Sequence, residues 1–348
     1  MYRYIGNKTK LLPHILAITE ELIGNSGTVI DLMAGTGTVS YEFRKQGYTV
    51  IGSDMMTYSK CHLITQLKMN NAPEFSKLSF IDNKSEQRYA SVLRYLNELV
   101  PEEGYFCQEF SPGGKPKNGC ESRKYFSYEN ACKIDAIRTK INQWVNDNVL
   151  SIEEEALLKH TLIMAANSVA NISGTYGYYL SDFTQNSLAP IILQPIEFLE
   201  GDITNNMVVQ GFAEEIAKNL KGDLCYIDPP YMKRQYAANY HILETIARGD
   251  YPEAVGKSGL RDWWDQHSKF CTKTRGIDSF EKVISDIKCD NIIVSYSEDG
   301  LFTLDQMMNI MGKCGKVDVR YIDYNRFRSN QSKLPKRLKE YIIILQKI

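Results

Sequence analysis

Thr28-Val29-Ile30-Asp31-Leu32-Met33-Ala34-Gly35-Thr36-Gly37-Thr38-Val39 opens the stretch that decides the fold, and Tyr48-Thr49-Val50-Ile51-Gly52-Ser53-Asp54 closes it. Thr28 to Leu32 is β-branched and apolar and reads as a strand. Gly35-x-Gly37 then supplies a turn in which the backbone can come close to a ligand, ahead of a helical stretch from Ser40 to Gln46. Tyr48 to Ser53 is a second strand, and Asp54 at its end can take both hydroxyls of a ribose. Strand, turn, helix, strand and terminal acid form one unit of a doubly wound α/β sheet, suited to a nucleoside-containing cofactor. A dinucleotide fingerprint would need Gly or Ala where Ser40 stands, so a pyrophosphate is not expected.

The apolar run Leu224-Cys225-Tyr226-Ile227 ends in Asp228-Pro229-Pro230-Tyr231. Open α/β sheets bind ligands at the carboxyl ends of such strands. Ionised Asp228 accepts hydrogen bonds only, the carbonyl of Pro229 is a second acceptor, and proline's locked φ keeps the two at one spacing. An exocyclic NH2 on a planar base would be gripped there. Tyr231 offers a π-face on which a base taken out of its duplex can stack. The bland alternative is a strand end with a Pro-Pro turn.

Near the N-terminus Arg3-Tyr4-Ile5-Gly6-Asn7-Lys8 precedes an apolar helical stretch, Leu11 to Ile23. With this segment, the glycine loop and Asp228 to Tyr231 in that order, the chain resembles the Dam-type DNA N6-adenine methyltransferases of the alpha motif order. Asp228-Pro229-Pro230-Tyr231-x-x-Arg234-Gln235-Tyr236 with Asn239-Tyr240-His241 is the most specific stretch, and Gly174-Thr175-Tyr176-Gly177 is similar to a turn of the family. The glycine loop departs from it with Met33 in place of phenylalanine and Ala34 in place of cysteine. The resemblance implies an S-adenosylmethionine-dependent enzyme that methylates adenine in a specific double-stranded DNA sequence, with S-adenosylhomocysteine as product. It further implies a role as the modification partner of a restriction endonuclease. N4-cytosine or RNA N6-adenine methylation on the same fold, and a decayed DNA-binding scaffold, are the alternatives.

The residues implied for the cofactor are Tyr4, Gly6, Lys8, Asp31, Met33, Gly35, Gly37, Asp54, Asp202, Ile203 and Asp228. Asp228, Pro229, Pro230 and Tyr231 are the catalytic set. His241 reads as structural rather than as a base.

The expected architecture is a Rossmann-like methyltransferase sheet with an antiparallel C-terminal hairpin, plus a mainly helical inserted target-recognition domain. The core covers 1–69 and 191–348, and the insertion 70–190. Helices are expected after Asp54 to Met69, at Arg88–Leu99, at Asn130–Val145, and from the capping box Ser151-Ile152-Glu153-Glu154 to Ala170. Pro101–Arg123 and Gly174–Leu188 read as loops. Ile196–Leu199, Asp223–Ile227, Asn291–Tyr296, Val317–Tyr324 and Glu340–Leu345 read as strands, the last two as the hairpin.

A net charge of -1 argues against a non-specific nucleic-acid coat protein. Basic residues nonetheless cluster at 115–140 and from Lys313 onward. Lys115, Lys117, Arg123, Lys124, Tyr176, Arg234, Arg326 and Arg328 are the expected DNA contacts, with Arg123 and Lys124 foremost as base or phosphate readers. Eight cysteines without a Cys-x-x-Cys pair, and five histidines, predict reduced thiols and no metal site. No apolar stretch approaches membrane-spanning length, which predicts a cytoplasmic protein and no membrane partner.

Overall fold

A computed structural model describes residues 8, 10–81, 88–119, 121–325 and 337–348. Its described residues divide into two compact units, one drawn from 8–55, 204–235 and 268–348, the other from 56–203 and 236–267.

The first unit is built on a seven-stranded sheet. Its strands are β1 (Thr28–Asp31), β2 (Thr49–Asp54), β3 (Met207–Gln210), β4 (Leu224–Ile227), β5 (Asn291–Ser297), β6 (Gly315–Asn325) and β7 (Arg337–Lys347), in the order β3-β2-β1-β4-β5-β7-β6. β1 to β5 are parallel. Both faces of such strands are covered, which is why β4 is buried at all four residues and β5 at all but its first. β7 runs antiparallel to β5, from Asn291 opposite Gln346 to Ser297 opposite Glu340, and pairs with β6 as a hairpin at the edge. On one face Ile227, Ile292, Val294, Ile343 and Leu345 pack with Phe280, Val283 and Ile284 of the helix Lys273–Asp286 and Met307 and Met311 of the helix Leu304–Gly312. Burying each of these large side chains stabilises the fold by about 1.5–3 kcal/mol. The strand order reverses between β1 and β4, which puts the ligand crevice at the carboxyl ends of β1, β2 and β4.

Two expectations fail here. Ile196–Leu199 is not a strand. A four-residue apolar run cannot tell a strand from a packing segment, and Phe198 spends its ring edge-on against Tyr89, 6.1 Å away. The third parallel strand is Met207–Gln210, paired with Ile51–Asp54, while Asn206 Oδ1 accepts from Val50 N at 2.8 Å. Asp202 and Ile203 therefore end no strand.

The second unit is mainly helical. The helix Thr57–Leu67 packs on the helices Ile152–Val169 and His241–Arg248, and Ile152–Val169 packs on Tyr128–Asn146. Ser151 and Glu154 make both bonds of the capping box. The unit starts at Met56 and takes in 236–267, so compactness sets wider limits than the expected 70–190. Within Pro101–Arg123 lies a helix the composition hid, Tyr105–Phe110, pinned by Asp135, whose carboxylate accepts from the amides of Gly104, Phe106 and Cys107. One helical turn, Gln185–Leu188, likewise interrupts the second expected loop.

A buried pair, His62 Nδ1 and His160 Nδ1 at 2.7 Å, joins two of these helices. Burial drives His62 well below the ordinary histidine range and His160 to about 4, while His241, buried against the Tyr176 carbonyl, falls to about 3. The unfolded chain takes up these protons near pH 6.5 and the folded unit does not. Their contribution is therefore fully present above about pH 6.5 and is lost as pH falls toward 4. Burial raises Asp135 to about 6, which acts in the opposite sense, one group against three. All three tryptophans, Trp144, Trp263 and Trp264, belong to this unit. The urea midpoint read by tryptophan fluorescence should accordingly be lower at pH 5 than at pH 7.5, and an equal or higher midpoint at pH 5 would contradict this assignment.

Candidate active site

Asp31 ends β1, Asp54 ends β2 and Asp228 follows β4, so three acids converge at the crevice. The loop between β1 and the helix Thr38–Lys45 is shaped by Gly35 at φ 55° and Gly37 at φ 76°, left-handed values that favour glycine. Gly35 N donates to Asp54 Oδ2 at 2.8 Å, which ties the loop to the end of β2. Met33 packs against the sheet core.

Asp31 is buried. Its Oδ2 accepts from Ser40 Oγ at 2.7 Å, while Oδ1 has no hydrogen-bond partner among the described residues. Burial first, then the charges of Asp228 and Asp54, push its carboxyl up to about 7 against the Ser40 bond. An orphaned, crowded carboxylate oxygen suits a ligand that donates hydrogen bonds or carries positive charge.

Asp228 Oδ1 accepts from Ser295 Oγ at 3.1 Å, and Ser295 Oγ lies 2.8 Å from Tyr226 Oη. Because Ser295 gives its one proton to the carboxylate, Tyr226 donates to Ser295, and the chain ends on Asp228. Lys8 Nζ stands 3.2 Å from the same Oδ1, donates to Tyr231 Oη, and lies 4.4 Å from the centre of that ring. It is also 3.6 Å from Glu340 Oε2 of β7. Burial raises the Glu340 carboxyl, Lys8 opposes this, and Asp228 adds to it. The half-buried Tyr231 meets Tyr296 edge-on at 4.8 Å.

Lys8, Asp31, Met33, Gly35, Gly37, Asp54, Asp228, Pro229, Pro230 and Tyr231 thus fall within one unit. Tyr4, Gly6, Arg326 and Arg328 lie outside the described residues. Asp202, which is exposed, and Ile203 belong to the helical unit. Lys115, Lys117 and Arg234 are exposed, and Lys124 Nζ donates to the Ser181 carbonyl at 3.0 Å.

Arg123 and Tyr176 are corrected. Arg123 is fully buried: it pairs with Glu109 Oε2 at 2.8 Å and donates to the carbonyls of Glu109, Ala254, Gly256 and Lys257. With its donors consumed inside the unit, it cannot reach a base or a phosphate. Tyr176 is also buried, its hydroxyl 3.1 Å from Asn167 Oδ1 and its carbonyl accepting from Tyr125. Both signals were misleading for one reason: basic charge and a family-like turn do not reveal burial.

Ser40, Tyr226, Ser295 and Glu340 were not singled out from the sequence. Ser295 and Glu340 carry a weak signal, each a polar residue set beside a run of buried apolar ones, Ile292-Ile293-Val294 and Tyr341-Ile342-Ile343-Ile344.

Residues 4–310 match the family described as D12 class N6 adenine-specific DNA methyltransferase. The chain is 35% identical over 349 residues to the type II methyltransferase M.FokI of Planomicrobium okeanokoites, covering 99% of this chain and 52% of that protein. It therefore spans about half the length of that relative. It is 34% identical to the type II methyltransferase M.NlaIII of Neisseria lactamica, covering 99% of both chains. To the type II methyltransferase M.CviAII of Paramecium bursaria Chlorella virus 1 it is 28% identical, covering 98% of this chain and 97% of that protein. On the extent of the family match and on these identities, the chain belongs to the D12 class of N6 adenine-specific DNA methyltransferases.

Proposed function

We propose that this protein transfers a methyl group from S-adenosylmethionine to the N6 amino group of an adenine flipped out of a specific double-stranded DNA sequence. The observation that carries the reading is the placement of Asp228-Pro229-Pro230-Tyr231 at the carboxyl end of β4, in the same unit as the Asp31, Gly35, Gly37 and Asp54 cradle. When bound, S-adenosylmethionine supplies an activated, electrophilic methyl group. The donor set fits it: Asp31 Oδ1 lacks a hydrogen-bond partner among the described residues, and a positively charged ligand would relieve the crowding of Asp31 by Asp228 and Asp54. Asp54, which holds the Gly35 turn, would take the ribose hydroxyls.

The adenine amino nitrogen is a poor nucleophile because its lone pair is delocalised into the ring. Asp228 and the Pro229 carbonyl would accept its two N–H bonds and hold the nitrogen in one orientation, so positioning supplies much of the rate, and the proton shed on methylation would leave along the bond to Asp228. Tyr231 packs on the extruded base. The helical unit acts as the target-recognition part, with Lys115, Lys117 and Lys124 against the DNA, and Arg234 is a DNA contact of the sheet unit by itself. Relatives named as type II methyltransferases support a role beside a restriction endonuclease that cuts the same site.

Sequencing DNA from cells expressing the protein, with a chemistry that detects methylated bases in context, tests the reading. N6-methyladenine confined to one recurring sequence is expected, and it should vanish in an Asp228→Ala strain. Methylcytosine, or no new modification, would overturn it. Asp54→Ala should weaken S-adenosylmethionine binding by about 1–3 kcal/mol, because buried hydroxyls lose their acceptor. Calorimetry reads this directly, and an unchanged dissociation constant removes Asp54 from the cofactor site.

A further inference from the structure

We propose that Glu340 is a positioning residue for Asp228: by sharing the Lys8 ammonium, it keeps that cation from neutralising the carboxylate that must grip the target amino group. The inference rests on the reading of Asp228 given above. Glu340 lies on β7, beyond residue 310 where the family match ends, and opposite Ser297 on β5. Its carboxylate is buried, and its Oε2 has no hydrogen-bond partner among the described residues. Among the described residues the one cation it meets is Lys8, at 3.6 Å. A buried carboxylate with this one ion pair among the described residues is costly to keep, which points to a task beyond folding.

The task follows from what Lys8 otherwise does. Lys8 is itself buried and stands 3.2 Å from Asp228 Oδ1, the oxygen that already accepts from Ser295. An ammonium held against one carboxylate draws charge from it and weakens it as an acceptor for a neutral N–H donor. Lys8 cannot simply be absent, because it also holds Tyr231 through the hydroxyl and lies over its ring. Glu340 resolves this conflict. It supplies a second negative charge on the other side of the ammonium, so Lys8 can hold Tyr231 while Asp228 remains a strong acceptor. Without the Glu340 charge, the Lys8 ammonium, already 3.2 Å from Oδ1, acts on Asp228 alone.

The test compares Glu340→Gln, Glu340→Asp, Lys8→Met and the Lys8→Met/Glu340→Gln double variant in the full chain, using duplex DNA carrying the site and S-adenosylmethionine. Glu340→Gln should lower the single-turnover methylation rate at saturating DNA by about ten-fold or more, with S-adenosylmethionine binding changed by less than about two-fold and Glu340→Asp restoring part of the rate. In the Lys8→Met background the same Glu340→Gln change should alter the rate by less than about two-fold, since there is no ammonium left to share. Wild-type rate in Glu340→Gln, or losses that multiply in the double variant, overturns the inference. Asp228→Asn separates the two levels. If it keeps the wild-type rate, the reading of Asp228 fails and this inference with it. If it is inactive while Glu340→Gln is normal, the inference about Glu340 alone fails.

Discussion

Asp228→Ala should abolish methyl transfer, with a loss of at least about three orders of magnitude in single-turnover rate, comparable to removing a central oxyanion donor elsewhere. Cofactor binding should stay within a few fold. On the proposed reading Asp228 faces the target amine while Gly35, Asp31 and Asp54 hold the cofactor, so the two effects separate. The site also predicts a modest change in the remaining groups. Ser295 and Lys8 lose their shared acceptor at Oδ1, and Asp31 loses one of the two charges that raise it. A radiolabelled-methyl assay beside calorimetry with S-adenosylmethionine measures both quantities. Turnover within ten-fold of wild type would sink the assignment, and a matching collapse of cofactor affinity would move Asp228 from the substrate to the cofactor.

Arg123→Ala should instead destabilise the helical unit, by about 3–5 kcal/mol, because it leaves the buried Glu109 carboxylate without its cation. The loss extends past the ion pair, since Arg123 also ties the carbonyls of Ala254, Gly256 and Lys257 to the Glu109 segment. Urea unfolding followed by tryptophan fluorescence reads the helical unit, where all three tryptophans lie. A large fall in midpoint is expected, and protein that remains folded should keep its wild-type choice of DNA sequence. Should the midpoint hold while sequence preference relaxes, Arg123 reads bases after all and its burial is not its role.

These two residues mark what each level of description could reach. The setting of Asp228 was legible because its signal is local: four apolar residues ahead of an acid and two prolines form a buried strand. The same holds for Thr28 to Asp54, where alternating strand, glycine turn and helix need only short-range backbone preferences, and for the hairpin of β6 and β7. The capping box at Ser151 is likewise written in four consecutive residues.

Where a property depends on distant residues, the sequence was silent or misleading. Ile196–Leu199 has the apolar character of a strand, but the edge of β2 is taken by Met207–Gln210. Arg123 sits in a basic stretch that reads as a solvated surface, and only the fold brings Glu109 and the 254–257 carbonyls around it. Glu340 sits 332 positions from Lys8, and no periodicity connects them. The sequence by itself determined most strands of the sheet, the Gly35 turn and the place of Asp228 after a buried strand, because backbone propensity acts over a few residues. The tertiary structure alone decided which charges are buried and which face one another, because burial and ion pairing depend on packing between segments far apart in the chain.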